Sequence, residues 1–129
     1  QISDYADEFC EILSDIFDCF ALIGDRDQII ACCGMSKKQM IGMKFSNEVL
    51  DIIDGLSCYM SATNNNTTIV PLINDDKNTY SAQLVYPIVI QGEKEGVIIL
   101  CSTKNGSNFN QEQVVSLKLI SRFLSKQME

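Results

Sequence analysis

Apolar residues recur every three or four positions at both ends of the 129-residue chain. At the amino-terminal end this spacing runs from Ile2 to Phe17, with acidic residues on the remaining positions, and predicts an amphipathic helix over residues 2–17. The carboxy-terminal stripe predicts a final helix after Asn110, which forms a capping-box pattern with Gln113. That stripe comprises Val114, Val115, Leu117, Leu119, Ile120, Phe123, Leu124 and Met128.

Apolar runs between the two helices predict five strands, over residues 19–23, 28–33, 67–73, 80–90 and 96–103. The first two runs flank a Gly-Asp-Arg-Asp turn, which predicts a hairpin, and both are apolar at nearly every position. Strands of that kind are covered on both faces. Pro87 indicates a bulge or an edge position. Capping patterns at Ser36 and Ser46 predict two short helices, the second over residues 47–54. We therefore predict an α/β (α+β) fold with helices on one face of the sheet.

Charge is distributed unevenly along the chain. The net charge is −7, and the first 18 residues hold six acids and no Lys or Arg. An acidic surface repels phosphate, so this chain is not expected to bind nucleic acid unaided. We expect the acidic helix face to be solvated; the alternative is that it meets a basic element of this chain or of a partner. No apolar run approaches the roughly 20 residues needed to cross a bilayer, and no signal peptide opens the chain. We expect a cytoplasmic protein with no membrane partner.

The residue inventory argues against catalysis. The chain has no histidine, which excludes Ser-His-Asp and Cys-His mechanisms and mixed zinc sites. Its six cysteines include no Cys-x-x-Cys pair, and five lie in apolar runs, which indicates reduced, buried thiols. Cys32 and Cys33 are expected to face opposite ways on a strand, with a redox or metal-sensing thiol as the alternative. Asp25 and Asp27 are expected to serve a turn. We predict no enzyme activity, no cofactor and no metal site.

Methionine and aromatic residues are concentrated in the middle of the chain. Met fills irregular gaps and lines adaptable binding surfaces. A segment of this kind over the second face of the sheet is a candidate wall for a small-molecule pocket. The alternative is a plain second layer of the core. The candidate pocket residues are Met35, Met40, Met43, Phe45, Tyr59, Met60, Tyr80 and Tyr86.

The order of the elements, together with the run from Tyr86 to Leu100, resembles a GAF domain. That run carries a Pro, then a Gly, then a second Gly that opens an apolar strand. Residues 109–112, Phe-Asn-Gln-Glu, resemble the family's entry into its last helix. Three further segments resemble the carboxy-terminal half of sporulation regulators that join an AbrB-type DNA-binding domain to a GAF domain: residues 25–27, 36–38 and 123–128. The resemblance covers essentially the whole chain.

The resemblance implies a single GAF domain over residues 1–129. Its fold would be a GAF/PAS-like antiparallel sheet of about five strands, with the terminal helices on one face and short helices and loops over the other. A DNA-binding domain missing from this chain would make the DNA contacts and control late sporulation genes in the forespore. The resemblance also implies an unidentified small-molecule ligand, and a helical bundle that pairs subunits and builds a tetramer of the full-length protein. The candidate interface residues are Phe9, Ile12, Leu13, Ile16, Ile120, Phe123 and Leu124.

Two alternative functions stay open at this point. One is a purely structural module that pairs with a second copy and binds no ligand. The other is a cysteine-based methionine sulfoxide reductase, an activity that some GAF domains have. The cysteine motifs of that reductase family are not evident in this chain, which favours a regulatory domain.

Overall fold

The centre of the protein is a sheet of five strands with helices on both faces. The computed structural model describes residues 3–127, so Ile2 and Met128, which the sequence assigns to the terminal helices, lie outside the described residues. The elements in chain order are α1 (Ser3–Phe17), β1 (Phe20–Gly24), β2 (Ile29–Cys33), α2 (Lys37–Met40), α3 (Asn47–Asp54), β3 (Tyr59–Ala62), β4 (Ala82–Ile90), β5 (Glu93–Ser102) and α4 (Gln111–Gln127). The strand order is β2-β1-β5-β4-β3 and every neighbouring pair is antiparallel, as predicted.

Side chains of the central strands alternate between two core layers, although nearly every position is apolar. In β5, Ile98 and Leu100 lie in the layer beneath the terminal helices, whereas Val97 and Ile99 lie in the opposite layer. We call these the helix-side layer and the loop-side layer. Helix α1 packs on β1 and β2, and α4 packs on β4. The two terminal helices therefore share one face, and the double cover explains why the strands lack a polar face.

The loop-side layer is covered by α3 and by residues 67–80. Phe45 and Val49 are buried in this layer. Ser46 caps α3 as predicted, because its Oγ accepts a hydrogen bond from the Val49 amide at 3.2 Å. The same Oγ donates to the carbonyl of Pro71 at 2.6 Å. This hydroxyl therefore links the start of α3 to residues 67–80, which we call the covering segment.

The predicted strand over residues 67–73 is wrong, because this segment pairs with a side chain. The buried amide of Gln83 accepts a hydrogen bond from the Val70 N–H at 2.9 Å and donates one to the Val70 carbonyl at 2.6 Å. The remaining strand of the sheet is β3, in the methionine-rich segment, and it pairs with β4. One side-chain amide satisfies both backbone groups of Val70, so the segment needs no ladder there despite its strand-like composition.

Pro87 lies where β4 becomes a local edge of the sheet. Strand β3 pairs with β4 only between Ala82 and Val85, so Pro87 lies beyond the last paired residue on that side. The register between β4 and β5 shifts between Ile88 and Val89. Both features that the proline indicated, an edge and a neighbouring bulge, are confirmed. A residue without an N–H removes no ladder hydrogen bond at such a position.

Of the two capping boxes predicted from the sequence, the one at Asn110 is confirmed and the one at Ser36 is wrong. At the start of α4, the Asn110 side chain accepts from the Glu112 amide at 2.9 Å and the Gln113 side chain accepts from the Asn110 amide at 2.8 Å, which confirms the capping box. At Ser36 the predicted capping box is wrong, since its side chain makes no cap hydrogen bond. In a capping box the Gln39 amide would donate to the Ser36 hydroxyl. It donates instead to the Ser36 carbonyl at 3.2 Å. A helix of a single turn closes on backbone carbonyls alone.

Candidate functional site

The two terminal helices contact each other through aromatic rings. The ring of Phe123 lies against Tyr5 and Phe9, with centroid distances of 5.3 and 5.8 Å and edge-to-face geometry. The Tyr5 hydroxyl donates a hydrogen bond to Oε1 of Gln127 at 3.4 Å. The start of α1 therefore lies beside the end of α4, and the helices run antiparallel. Ring pairs of this kind contribute about 0.5–1.5 kcal/mol each beyond their area burial.

The outer surface of this helix pair carries exposed apolar side chains at helical spacing. Five of the nine large apolar side chains that are exposed among the described residues lie on it. Leu119 is 71% exposed and Ile16 is 66% exposed, and each lies one turn from another exposed apolar residue of its helix. Exposed apolar side chains concentrated on one pair of helices favour an interaction site there. We call this surface the helical stripe, and its members are Ile12, Ile16, Val115, Leu119 and Phe123.

The interface residues predicted from the sequence differ in their exposure to solvent. Ile12, Ile16 and Phe123 belong to the helical stripe, and Phe9 and Ile120 are partly buried beside the helix-side layer. Leu13 and Leu124, also among the candidate interface residues, are only 2% and 1% exposed and lie in the domain's own core. Neighbouring helix positions differ by about 100° of rotation, so one turn holds both core and outward residues.

Val115 and Leu119 are the stripe residues that the candidate interface set missed. They precede Phe123 by eight and four positions, which places all three on one line along α4. That spacing is visible in the sequence and could have found them. The acidic residues of α1 are exposed, as expected for a solvated face, and Asp18, which follows α1, forms an ion pair with Lys104.

The eight candidate pocket residues do not surround one space. Met40 and Phe45 are buried in the loop-side layer, and Met35 and Tyr59 pack against its edge. Met43 and Met60 are exposed. Tyr86 lies on the opposite face of the sheet, beside the helix-side layer. The residues that lie together here form core packing, which is the alternative that the sequence left open.

Tyr80 is held by a hydrogen-bond network inside the covering segment. Its hydroxyl donates to Oδ2 of Asp76 at 2.8 Å, and the same oxygen accepts from the Leu72 amide at 2.9 Å. Burial raises the pKa of the Tyr80 hydroxyl, with the nearby Cys101 thiol and the Asp76 carboxylate adding to the effect. Tyr80 therefore stays protonated and serves the fold of residues 72–80.

An open cleft of about 580 Å³ lies beside Phe45 at the margin of the loop-side layer. Polar side chains dominate its lining, among them Asp27, Lys44 and Asn47. The turn that carries Asp27 is fixed by Asp25, whose carboxylate accepts from the amides of residues 27 and 28 at 2.8 and 2.9 Å. Asp25 therefore has the turn role expected from the sequence.

The thiols are mostly buried and protonated. Burial raises the pKa of Cys10 and of Cys101, and raises the pKa of Cys19 to about 11. Cys32 lies in the loop-side layer and Cys33 beside the helix-side layer, so the adjacent pair faces opposite ways, as expected. A protonated, buried thiol is a poor nucleophile and a poor metal ligand. No cluster of three or more potential metal ligands occurs within residues 3–127.

Comparisons with known proteins agree on the family and the fold. The family model described as stage V sporulation protein T C-terminal, transcription factor, matches residues 1–129. The chain is similar to stage V sporulation protein T of Bacillus subtilis (strain 168), with 28% identity over 129 residues, which are 100% of this chain and 70% of the relative. Within residues 3–127, no helix has the length and apolar character that a membrane span requires.

Three solved structures of low sequence identity have a similar fold. The GAF domain of an Acinetobacter phosphoenolpyruvate-protein phosphotransferase has a TM-score of 0.81, with 13% identity over 98% of this chain and 81% of that chain. A type II free methionine-R-sulfoxide reductase from Thermoplasma acidophilum has a TM-score of 0.72, with 14% identity over 96% and 89%. The cofactor binding GAF domain of the nutrient sensor CodY from Clostridium difficile has a TM-score of 0.66, with 13% identity over 95% and 83%. The fold is a GAF fold, and the chain belongs to the stage V sporulation protein T C-terminal family of transcription factors.

Proposed function

We propose that this chain is the regulatory domain of a sporulation transcription factor that self-associates through the helical stripe and responds to a small molecule. The exposed apolar surface on α1 and α4 carries the proposal. A separate AbrB-type domain would contact DNA, and the terminal helices would set the spacing between two such domains. The full-length protein would be a tetramer that acts on late genes in the cytoplasm of the forespore.

Self-association follows from the cost of leaving the stripe in water. Two copies related by a two-fold axis would bring ten apolar side chains together, because such an interface uses the same patch twice. Each aliphatic side chain that becomes fully buried contributes about 1.5–3 kcal/mol. The aromatic contacts of Phe123 hold α1 and α4 in a fixed arrangement, so the surface is preorganised for pairing.

Sedimentation equilibrium of stripe variants tests the self-association. Wild-type protein should have at least twice the chain mass at high micromolar concentration. Ile16→Asp and Leu119→Asp should each yield a monomer, because a charge would enter the apolar interface. Ile41→Asp is the matched control, since Ile41 is 41% exposed and follows α2, away from the stripe. A monomeric wild type, or variants that pair as well as wild type, would contradict the proposal.

Ligand sensing is the second part of the proposal. The site would be the cleft beside Phe45 at the margin of the loop-side layer, which offers both an aromatic ring and polar groups. The solved GAF domain of CodY is described as cofactor binding, which supports a similar use of the fold. A ligand can shift the pairing of α1 and α4 only by its difference in affinity between two arrangements.

A thermal-shift screen of amino acids, nucleotides and central metabolites tests the sensing part. A compound that binds there should raise the unfolding temperature of the wild type, and the rise should disappear in Asn47→Ala. Lys38→Ala, at an exposed position outside the cleft lining, should keep the rise. If no compound raises the unfolding temperature while the protein still pairs, the domain is a purely structural dimerisation module.

We further propose that the chain is not an enzyme. A cysteine-based reductase needs a thiolate, and burial holds the thiols of Cys10, Cys19 and Cys101 in the protonated form at neutral pH. Cys58 is exposed, but it forms no Cys-x-x-Cys pair with another cysteine. Turnover of free methionine sulfoxide with dithiothreitol would contradict this part of the proposal.

A further inference from the structure

A second cleft, of about 570 Å³, lies on the helix side of the sheet. It is bounded by α4 on one side and by residues 56–58, which lead into β3, on the other. Its base includes Pro87 and Val89 of the local edge of β4. The cleft exists because β3 ends its pairing at Val85, so the sheet leaves the space next to α4 open.

The charge of this cleft is opposite to that of the chain. Lys118 and Arg122 lie one turn apart on α4 and both line the cleft, whereas no acidic residue does. Neither side chain forms an ion pair with any of residues 3–127, in contrast to Lys94, which pairs with Asp54. In a chain with a net charge of −7, two unpaired cations at one opening favour an anionic occupant.

Hydroxyl groups also line the cleft, among them those of Ser121 and Tyr86. Ser121 is only 8% exposed and lines the cleft, and its hydroxyl makes no hydrogen bond to the part of the chain that the structure describes. Every fully buried side-chain N or O atom of residues 3–127 has a hydrogen-bond partner, so the Ser121 hydroxyl, which has none, is reached from the cleft and is available to a ligand. Tyr86 also lines the cleft; burial raises the pKa of its hydroxyl, while the Arg122 guanidinium lowers it. The phenol is therefore a neutral donor at physiological pH.

We propose that this cleft binds a small organic anion with an apolar body and one carboxylate or phosphate group. The apolar body would lie on Pro87 and Val89, and the anionic group would contact Lys118 and Arg122, with Ser121 as an additional donor. The site is separate from the cleft beside Phe45, which lies on the other face of the sheet, and it does not depend on the proposed self-association.

Cys58 provides a built-in reporter, because it lines the cleft and is the exposed cysteine among the six. Its alkylation by iodoacetate and by iodoacetamide, two reagents of similar size, can be followed by peptide mass spectrometry at low ionic strength. The ratio of the two rates reports attraction of the anionic reagent and cancels any effect of the thiol's own ionisation. Removing both cations by Lys118→Gln and Arg122→Gln should lower the ratio about threefold to tenfold.

Lys126→Gln is the control, since Lys126 is an exposed cation of the same helix that does not line the cleft. It should leave the ratio of rates within about 1.5-fold of the wild-type value, because most of the distance-dependent attraction comes from the nearer charges. An equal fall in Lys126→Gln would assign the attraction to the helix as a whole. An unchanged ratio in the double variant would overturn the anion site.

Protection by phenyl phosphate tests the combination of apolar body and anion. Phenyl phosphate should slow the alkylation of Cys58 by neutral iodoacetamide in a saturable way, and Ser121→Ala should weaken that protection several-fold. Phenol and inorganic phosphate should protect at least tenfold less well. Equal protection by phenol would show an apolar site, equal protection by inorganic phosphate would show a simple anion site, and no protection would show no site; each result overturns the proposal.

Discussion

Replacing Gln83 by methionine should remove the hydrogen bonds that hold residues 67–73 against the sheet. Methionine has nearly the same length and volume, so the change removes the two hydrogen bonds between the Gln83 amide and Val70, and the one that the amide accepts from Ser61 Oγ at 3.4 Å, without opening a large cavity. The Val70 N–H, which donates to Gln83 at 2.9 Å, and the Val70 carbonyl, which accepts from Gln83 at 2.6 Å, would be left without their partner. A buried polar group that loses its partner costs about 1–3 kcal/mol, so two should cost about 2–6 kcal/mol.

Urea unfolding followed by circular dichroism measures this loss as a change in the free energy of unfolding. Amide hydrogen exchange at Val70 gives a second readout, since its N–H should lose protection in Gln83→Met before the central strands do. Gln39→Met is the control, because Gln39 is exposed on α2, and it should change stability by less than about 0.5 kcal/mol. Equal stability of the two variants would refute the role of the Gln83 amide.

Three further substitutions test the packing, the thiols and the helix cap. Gly24→Ala should cost about 1–3 kcal/mol in urea unfolding, because its Cβ would overlap the aromatic ring packed on it, whereas Gly55→Ala, which meets only ordinary contacts, should be neutral or slightly stabilising. Burial raises the pKa of Cys101, so the folded chain keeps a proton that the unfolded chain releases above about pH 9, and stability should fall as the pH rises further. Cys101→Val should flatten that fall by about 1.4 kcal/mol per pH unit, and Cys58→Ser should not. Asn110→Ala should lower the unfolding free energy by about 1 kcal/mol through loss of the cap, and no loss would contradict the capping box.

The terminal helices could be predicted from the sequence because their signals are local. The three-and-four spacing of apolar residues sets α1 and α4, and the Asn110 capping box fixes where α4 begins. The uniformly apolar hairpin likewise indicated a sheet covered on both faces, since no polar face could meet water. These features depend on residues within one or two turns of each other, and the structure confirms them.

The covering segment could not be predicted in the same way, because its partner is distant in the sequence. Residues 67–73 have strand-like composition, yet the buried amide of Gln83, 13 residues after Val70, takes the place of a neighbouring strand. Nothing in the local pattern distinguishes a backbone that pairs with a strand from one that pairs with a side chain. The same limit applies to the pocket, since Tyr86 faces the other side of the sheet from Met40 and Phe45.

The candidate interface residues differ in which way they face around their helices. Leu13 and Leu124 point to the core, whereas Val115 and Leu119, which the candidate set omitted, point to solvent. A broad apolar stripe contains both sets, and only the position of the sheet decides which edge of the stripe is covered. The exposed edge is therefore information that the folded domain adds.

Contacts between chains at the helical stripe are the most direct test of the account. In a sample mixed from 13C-labelled and unlabelled chains, isotope-filtered nuclear Overhauser effects arise only across an interface between copies. We expect such effects at the methyl groups of Ile16 and Leu119, and none at Ile41. Intermolecular effects at Ile41 instead, or their absence from both stripe residues at concentrations where the protein pairs, would contradict it.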